Sequence, residues 1–176
     1  MVRPHHLGNY STEQTDHDHH SSAGQIDKNL PEALGIEAGK VIVAKIGGST
    51  LGDHDTTLRD IVALQRAGSY PVVVHGGGKI VTEWMIKAGV RPKFVRGLRV
   101  TDKSVLDIVV AVLTGVVNKS LVVSLQSYGG KAIGISGIDG RMLVARHGKP
   151  ELGLVGDTVV ASSEPIRALL DSGYIP

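Results

Sequence analysis

An α/β domain with a largely parallel central sheet, helices on both faces and an added β-hairpin is the fold this sequence predicts. Two observations carry that expectation. From Lys40 onward, short β-branched apolar runs alternate with amphipathic stretches of helical period. Buried strands that alternate with helices join in parallel. Glycine-rich loops follow the first two runs, and the carboxyl edge of such a sheet is where ligands bind.

The elements follow in order. Val41 to Ile46 reads as a buried strand, and Gly47-Gly48-Ser49-Thr50 as the loop after it. Asp53 to Ala67 has a helical face of Leu58, Ile61, Val62 and Leu64, closed by Gly68. Pro71 to His75 is a second strand, broken by Gly76-Gly77-Gly78, and Lys79 to Ala88 a helix that stops at Gly89. Val90 to Val100 forms a loop or a short strand pair. Thr101 or Asp102 caps a long helix that runs to about Ser127. Lys131 to Ile135 is a third strand. Met142 to Arg146 and Gly153 to Ala161 make a hairpin around Gly148-Lys149-Pro150. Ser162 or Ser163 caps a last helix ending at Gly173, and Tyr174-Ile175-Pro176 reads as the opening of another strand.

Composition narrows the function. The 176 residues suffice for one domain with a real core. With 41% hydrophobic but only 3% aromatic residues, that core must be aliphatic. The formal charge of +2 is small and evenly spread, which argues against nucleic acid as a partner. The absence of cysteine excludes disulfides and thiol chemistry. No uninterrupted apolar run reaches the roughly 20 residues of a membrane span, so a cytoplasmic protein is expected.

Residues 1–39 differ from the rest and are expected to form a disordered or weakly ordered tail. Met1 to Leu30 holds five of the eight histidines and no apolar periodicity. It lacks the basic start and apolar stretch of a secretory signal, and Glu13, Asp16 and Asp18 argue against a transit peptide. The cluster Asp16-His17-Asp18-His19-His20 has metal-binding side chains, but a solvated polar tail accounts for it, and no metal site is assigned.

Four motifs carry chemistry. In Lys45-Ile46-Gly47-Gly48, a lysine ends a buried strand beside two glycines. A bare ammonium is costly to bury, so this is either a snorkelling lysine or a phosphate contact. His75-Gly76-Gly77-Gly78 joins a strand to a helix start, where unpaired N–H groups and the helix dipole favour an anion. Neither familiar phosphate loop fits it. Gly78-Lys79 is followed by Ile80 without a glycine at position 73, and Val81 stands where a dinucleotide fingerprint needs its third glycine. Within Gly97-Leu98-Arg99-Val100-Thr101-Asp102, Arg99 either grips a carboxylate with two prongs or pairs with Asp102, and Arg96 has the same chemistry nearby. Gly134 to Gly140 reads first as strand and turn, and Asn118-Lys119 as a solvated or interhelical pair.

In this order the motifs resemble the amino acid kinase family, and within it the acetylglutamate kinases, from about Val41 to the end of the chain. The resemblance implies ATP-dependent phosphorylation of the side-chain carboxylate of N-acetyl-L-glutamate, with Mg2+ accompanying the nucleotide. Lys45 would meet the phosphoryl group in flight, with Gly47 and Gly48 offering backbone N–H groups. Gly77 and Gly78 would hold the substrate near its reacting carboxylate, and Arg99 would clamp its α-carboxylate. It also implies that residues 40–176 are the acceptor-binding part of a kinase domain that stops before the nucleotide half. The isolated chain would then be inactive. A homodimer through the helix 103–127 is expected, because its apolar residues surround it, with Val109, Val112 and Val116 read as outward. Met1 to Gly39 shows no amphipathic helix of the kind that accompanies arginine control in such kinases. Two alternatives remain: a non-catalytic module that binds an acidic ligand, and a kinase for a carrier-linked aminoadipate.

Overall fold

Parallel pairing of two short strands sets the frame on which everything else is placed. The computed structural model describes residues 39–47 and 56–176. The expected tail, its Asp16 to His20 cluster, Gly48 and the start of the first helix at Asp53 lie outside the described residues. Strand β1 (Val41–Ile46) pairs in parallel with β2 (Tyr70–His75), from Val41 beside Tyr70 to Ile46 beside His75. Between them runs helix α1 (Thr57–Arg66), which buries Leu58, Ile61, Val62 and Leu64 as its periodicity predicts. Helix α2 (Gly78–Lys87) follows β2 directly, with Gly77 at its N-cap.

The sheet continues through segments too short to form full ladders. Val73 donates to the carbonyl of Pro176 at 2.9 Å, and Ile133 donates to that of Ile175 at 3.0 Å. Tyr174–Pro176 therefore lies between β2 and the strand expected at Lys131 to Ile135. That strand is reduced to one parallel bridge, Ala132 to Ile175. Only three residues lie alongside it, so only part of its length finds backbone partners.

Helix α3 (Lys103–Ser127) is the long element of the fold. Asp102 caps it by accepting from the Val105 N–H at 2.9 Å. Its middle, Ala111–Val117, is π-helical. The buried apolar positions are Val105, Val112, Val117, Leu121 and Leu125. They are spaced by about one or two α turns except across the π stretch, where the step from Val112 to Val117 is one residue longer than an α turn. The insertion keeps the apolar stripe on the core. Val112 is fully buried (0% exposed), which corrects its reading as outward, and Val109 packs partly against the core. Val110, Val116 and Val123 are the outward valines. By length and composition α3 could cross a membrane, a property that uninterrupted apolar runs do not reveal. Here it is the central helix of a core that also contains Ile46, Val62, Val81, Met85 and Ile175.

Two hairpins complete the fold. Strands β3 (Phe94–Val95) and β4 (Leu98–Arg99) are joined by Arg96 and Gly97, both at positive φ (50° and 80°). This is the backbone a tight two-residue hairpin turn requires. Strands β5 (Leu143–His147) and β6 (Gly156–Ala161) pair antiparallel with a bulge at Val144 and Ala145. The second strand begins later than Gly153 because Pro150–Leu152 forms a 3-10 turn, and the loop after it docks on Thr101. Thr101 donates to the Leu152 carbonyl at 2.9 Å and accepts from the Leu154 N–H at 2.7 Å. Helix α4 (Glu164–Asp171) has Ser163 before it and borders the sheet beside Val41 and Tyr70.

Candidate acceptor site at the carboxyl edge of the sheet

The ends of β1 and β2 lie side by side, so the two glycine loops leave the sheet at the same edge. Lys45 is exposed and stands beside Val74, one residue before that edge. Among the described residues no partner holds its ammonium group. Strand alternation puts Lys45 and Val43 on the sheet face away from Ala44 and Ile46, which face the helical core.

The start of α2 is unlike that of α3. No side chain caps it, whereas Asp102 caps α3. The N–H groups of the first turn of α2 have no partner within the helix, and the dipole adds positive character there. The glycines differ in purpose. A Cβ on Gly77 would lie 2.7 Å from Leu113 Cδ2 and 3.1 Å from Val117 Cγ2, so the close approach of α3 leaves little room for a side chain there. Gly76 and Gly78 have open space where a Cβ would stand.

Arg99 is brought onto this helix start by the β3–β4 hairpin. Its Nη2 donates to the Gly78 carbonyl at 3.0 Å and to Thr82 Oγ1 at 2.9 Å, and its Nη1 lies 2.9 Å from the Met85 sulfur. The guanidinium also sits 4.8 Å over the Phe94 ring. Partial burial lowers its pKa from the ordinary value, and a guanidinium stays charged in proteins. It does not pair with Asp102, whose carboxylate is occupied by Val105 and Ser104. Arg96, by contrast, occupies the exposed tip of the turn. Arg99 and Gly78 thus meet directly, whereas Lys45 and Gly47 approach the site from the neighbouring strand.

The pair Asn118-Lys119, read as solvated or interhelical, instead ties α3 to His75 and to the Gly134–Ile135 backbone. Asn118 is buried within α3, and its amide reaches His75 and the carbonyl of Ile135, while Lys119 reaches the carbonyl of Gly134. A polar residue at the core-facing step of an apolar helix was the available signal. The Gly134 to Gly140 stretch is a turn, as read: Asp139 accepts from the N–H and hydroxyl of Ser136. No group of three His, Asp or Glu able to hold an ion occurs among the described residues. A hollow of about 710 Å³ opens behind His75 and Asn118, lined by residues such as Val72, Val74, Leu143 and Ile166. Neither Lys45 nor Arg99 lines it.

A model of the amino acid kinase family matches residues 40–176. The chain belongs to the amino acid kinase family. It is 44% identical over 136 residues to the acetylglutamate kinase of Dehalococcoides mccartyi, covering 77% of this chain and 50% of that protein. It is 44% identical over 155 residues to the acetylglutamate kinase of Cereibacter sphaeroides, covering 85% and 53%. The chain spans about half the length of the curated relatives it matches. Among solved structures it resembles smu.665 from Streptococcus mutans UA159, with a TM-score of 0.71 and 31% identity over 77% of this chain and 56% of that one. An N-acetylglutamate synthase from Neisseria gonorrhoeae, complexed with coenzyme A and N-acetyl-glutamate, shares the fold at a TM-score of 0.60. The identity is 23%, covering 84% of this chain and 35% of that one.

Proposed function

We propose that this chain binds N-acetyl-L-glutamate as the acceptor half of a kinase that phosphorylates its side-chain carboxylate with ATP and Mg2+. The observation that carries the reading is Arg99 anchored on the uncapped, glycine-lined start of α2. A charged guanidinium beside unpaired N–H groups is chemistry for a small dianion. The reacting carboxylate, with an ordinary pKa of about 4.3, is already ionised at neutral pH, so no general base is required. What the reaction requires is that two anions be brought together, and catalysis is then positioning and charge neutralisation.

In this reading Lys45 neutralises the transferring phosphoryl group, with backbone N–H groups of Gly47 and Gly48 beside it. Gly77 and Gly78 hold the acceptor and Arg99 grips its α-carboxylate. Three of the five guanidinium N–H groups of Arg99 are engaged within the protein. Two-pronged capture of a carboxylate therefore requires Arg99 to exchange at least one of those bonds, and Thr82 is the neighbour that can release it. Spanning half the length of its relatives, the 176-residue chain is expected to bind the acceptor without turning it over. The enzyme so completed would act in the cytoplasm as a homodimer joined through α3.

Calorimetry with N-acetyl-L-glutamate tests the assignment. Arg99→Ala should weaken binding by about 1.5–3 kcal/mol, the range for a hydrogen bond to a charged group, and Arg96→Ala by much less. Equal losses for the two arginines, or no binding by the unmodified chain, would refute it.

A further inference from the structure

The orientation of the Asn118 side chain follows from neighbours that have only one role each. The Lys119 ammonium can only donate, and it lies 3.0 Å from Asn118 Oδ1. The Ile135 carbonyl can only accept, and it lies 3.4 Å from Nδ2. Nδ2 is therefore the atom that faces His75 Nε2, at 3.2 Å, and it donates. His75 Nε2 must then be the bare nitrogen, so the proton sits on Nδ1, 3.0 Å from the carbonyl of Gly76. With no cis bonds among the described residues, the Gly76–Gly77 peptide is planar and trans. Fixing the Gly76 carbonyl toward His75 turns the Gly77 N–H the opposite way.

The surroundings are arranged to keep this relay in place. Asn118 is only 8% exposed. A Cβ on Gly134 would collide with its carboxamide oxygen, so glycine there leaves room for the amide. The π stretch ends where Asn118 begins, and its extra residue turns both Val117 and Asn118 inward. We infer that Asn118 is a positioning residue: it holds His75 as the Nδ1–H tautomer and through it aims the Gly77 N–H of the glycine loop. Only the identity of the anion the loop receives rests on the function proposed above.

Long-range proton–nitrogen correlation on ¹⁵N-histidine-labelled chain reads the tautomer directly at about pH 8.5, where ordinary imidazoles are neutral. The unmodified chain should show His75 protonated on Nδ1. Asn118→Asp, close in size but only an acceptor when ionised, should move the proton to Nε2, shift the Gly77 amide signal and weaken N-acetyl-L-glutamate binding at least tenfold. Should that variant not fold, Lys119→Met removes from an exposed position the donor that orients the carboxamide, and should leave His75 as a mixture of tautomers. A His75 protonated on Nε2 in the unmodified chain would overturn the inference. So would a folded Asn118→Asp chain with an unchanged tautomer and Gly77 signal. If the tautomer moves as expected but the unmodified chain binds no N-acetyl-L-glutamate, the positioning role stands and the acceptor assignment falls.

Discussion

Gly77 and Gly78 are neighbours of the same residue type, yet physical chemistry separates them. At Gly77 a methyl group would press on Leu113 and Val117 of the central helix, whereas at Gly78 it would meet open space. Gly77→Ala should destabilise the fold by about 1–3 kcal/mol, the usual range for overpacking, read as a lowered denaturation midpoint. Gly78→Ala should leave stability unchanged or raise it by up to about 1 kcal/mol, since alanine is the better helix former, and should weaken acceptor binding instead. Identical effects of the two substitutions would remove the distinction between a packing glycine and a ligand-facing one. The turn residue Arg96 allows a similar test. It holds a left-handed backbone that costs an L-residue about 1–2 kcal/mol, so Arg96→Gly should stabilise the β3–β4 hairpin, visible as a higher melting temperature. Sequence order alone brought the glycine triplet and Arg99 to attention, because such residues at strand ends and helix starts have few structural uses. It could not separate the roles of the three glycines, which depend on how closely α3 approaches. Nor could it show the bond from Arg99 to Gly78, which spans 21 residues of chain.

Among the elements, α1, α2 and α3 were legible because their apolar periodicity agrees with the tertiary structure, as do the glycines that close α1 and α2 and the aspartate that caps α3. Asp102 illustrates the agreement, and its charge makes a testable link to pH. The Val105 N–H first, and the Ser104 hydroxyl next, hold its carboxyl below the ordinary 3.8. A carboxyl whose folded pKa is depressed adds stability that is fully present above the unfolded value and is lost as pH falls through the folded one. The melting temperature of the unmodified chain should therefore exceed that of Asp102→Asn above about pH 5, and the gap should close below pH 3.8. A gap that stays constant between pH 3 and 7 would show that charge at the cap contributes nothing. The π stretch was not legible, because Ala111–Val117 has the composition of ordinary helix. Only the packing of Val112 and Val117 on the core reveals the extra residue. The short strand pairings at Lys131 to Ile133 were placed correctly in the chain, but strand length is decided by neighbours that a local pattern does not contain.

At the scale of the whole molecule, the central helix still shows apolar side chains to solvent. Val116 is 37% exposed and Val123 is 63% exposed, two turns apart on one side of α3. Val105, Val112, Val117, Leu121 and Leu125 make the core contacts. A helix that presents apolar groups on both sides is accommodated when a second copy covers the outer one, and a two-fold pair is the commonest such arrangement. The proposed homodimer therefore makes a specific claim about which valines hold it together. Val116→Asp and Val123→Asp each place a charge in that contact, and each should convert a dimer to a folded monomer in sedimentation experiments at micromolar concentration. At an exposed position of a monomer the same changes would shift stability by only about 0.5 kcal/mol, so association and folding can be scored separately. Val112→Asp is the contrasting control: it buries a charge in the core and should unfold the chain instead of dissociating it. A monomeric, well-folded unmodified chain would refute the homodimer, and a dimer unaffected by either outward aspartate would place the contact elsewhere. Val41, Val43 and Val74 on the open sheet face are then the next apolar surface to test, because they too are exposed.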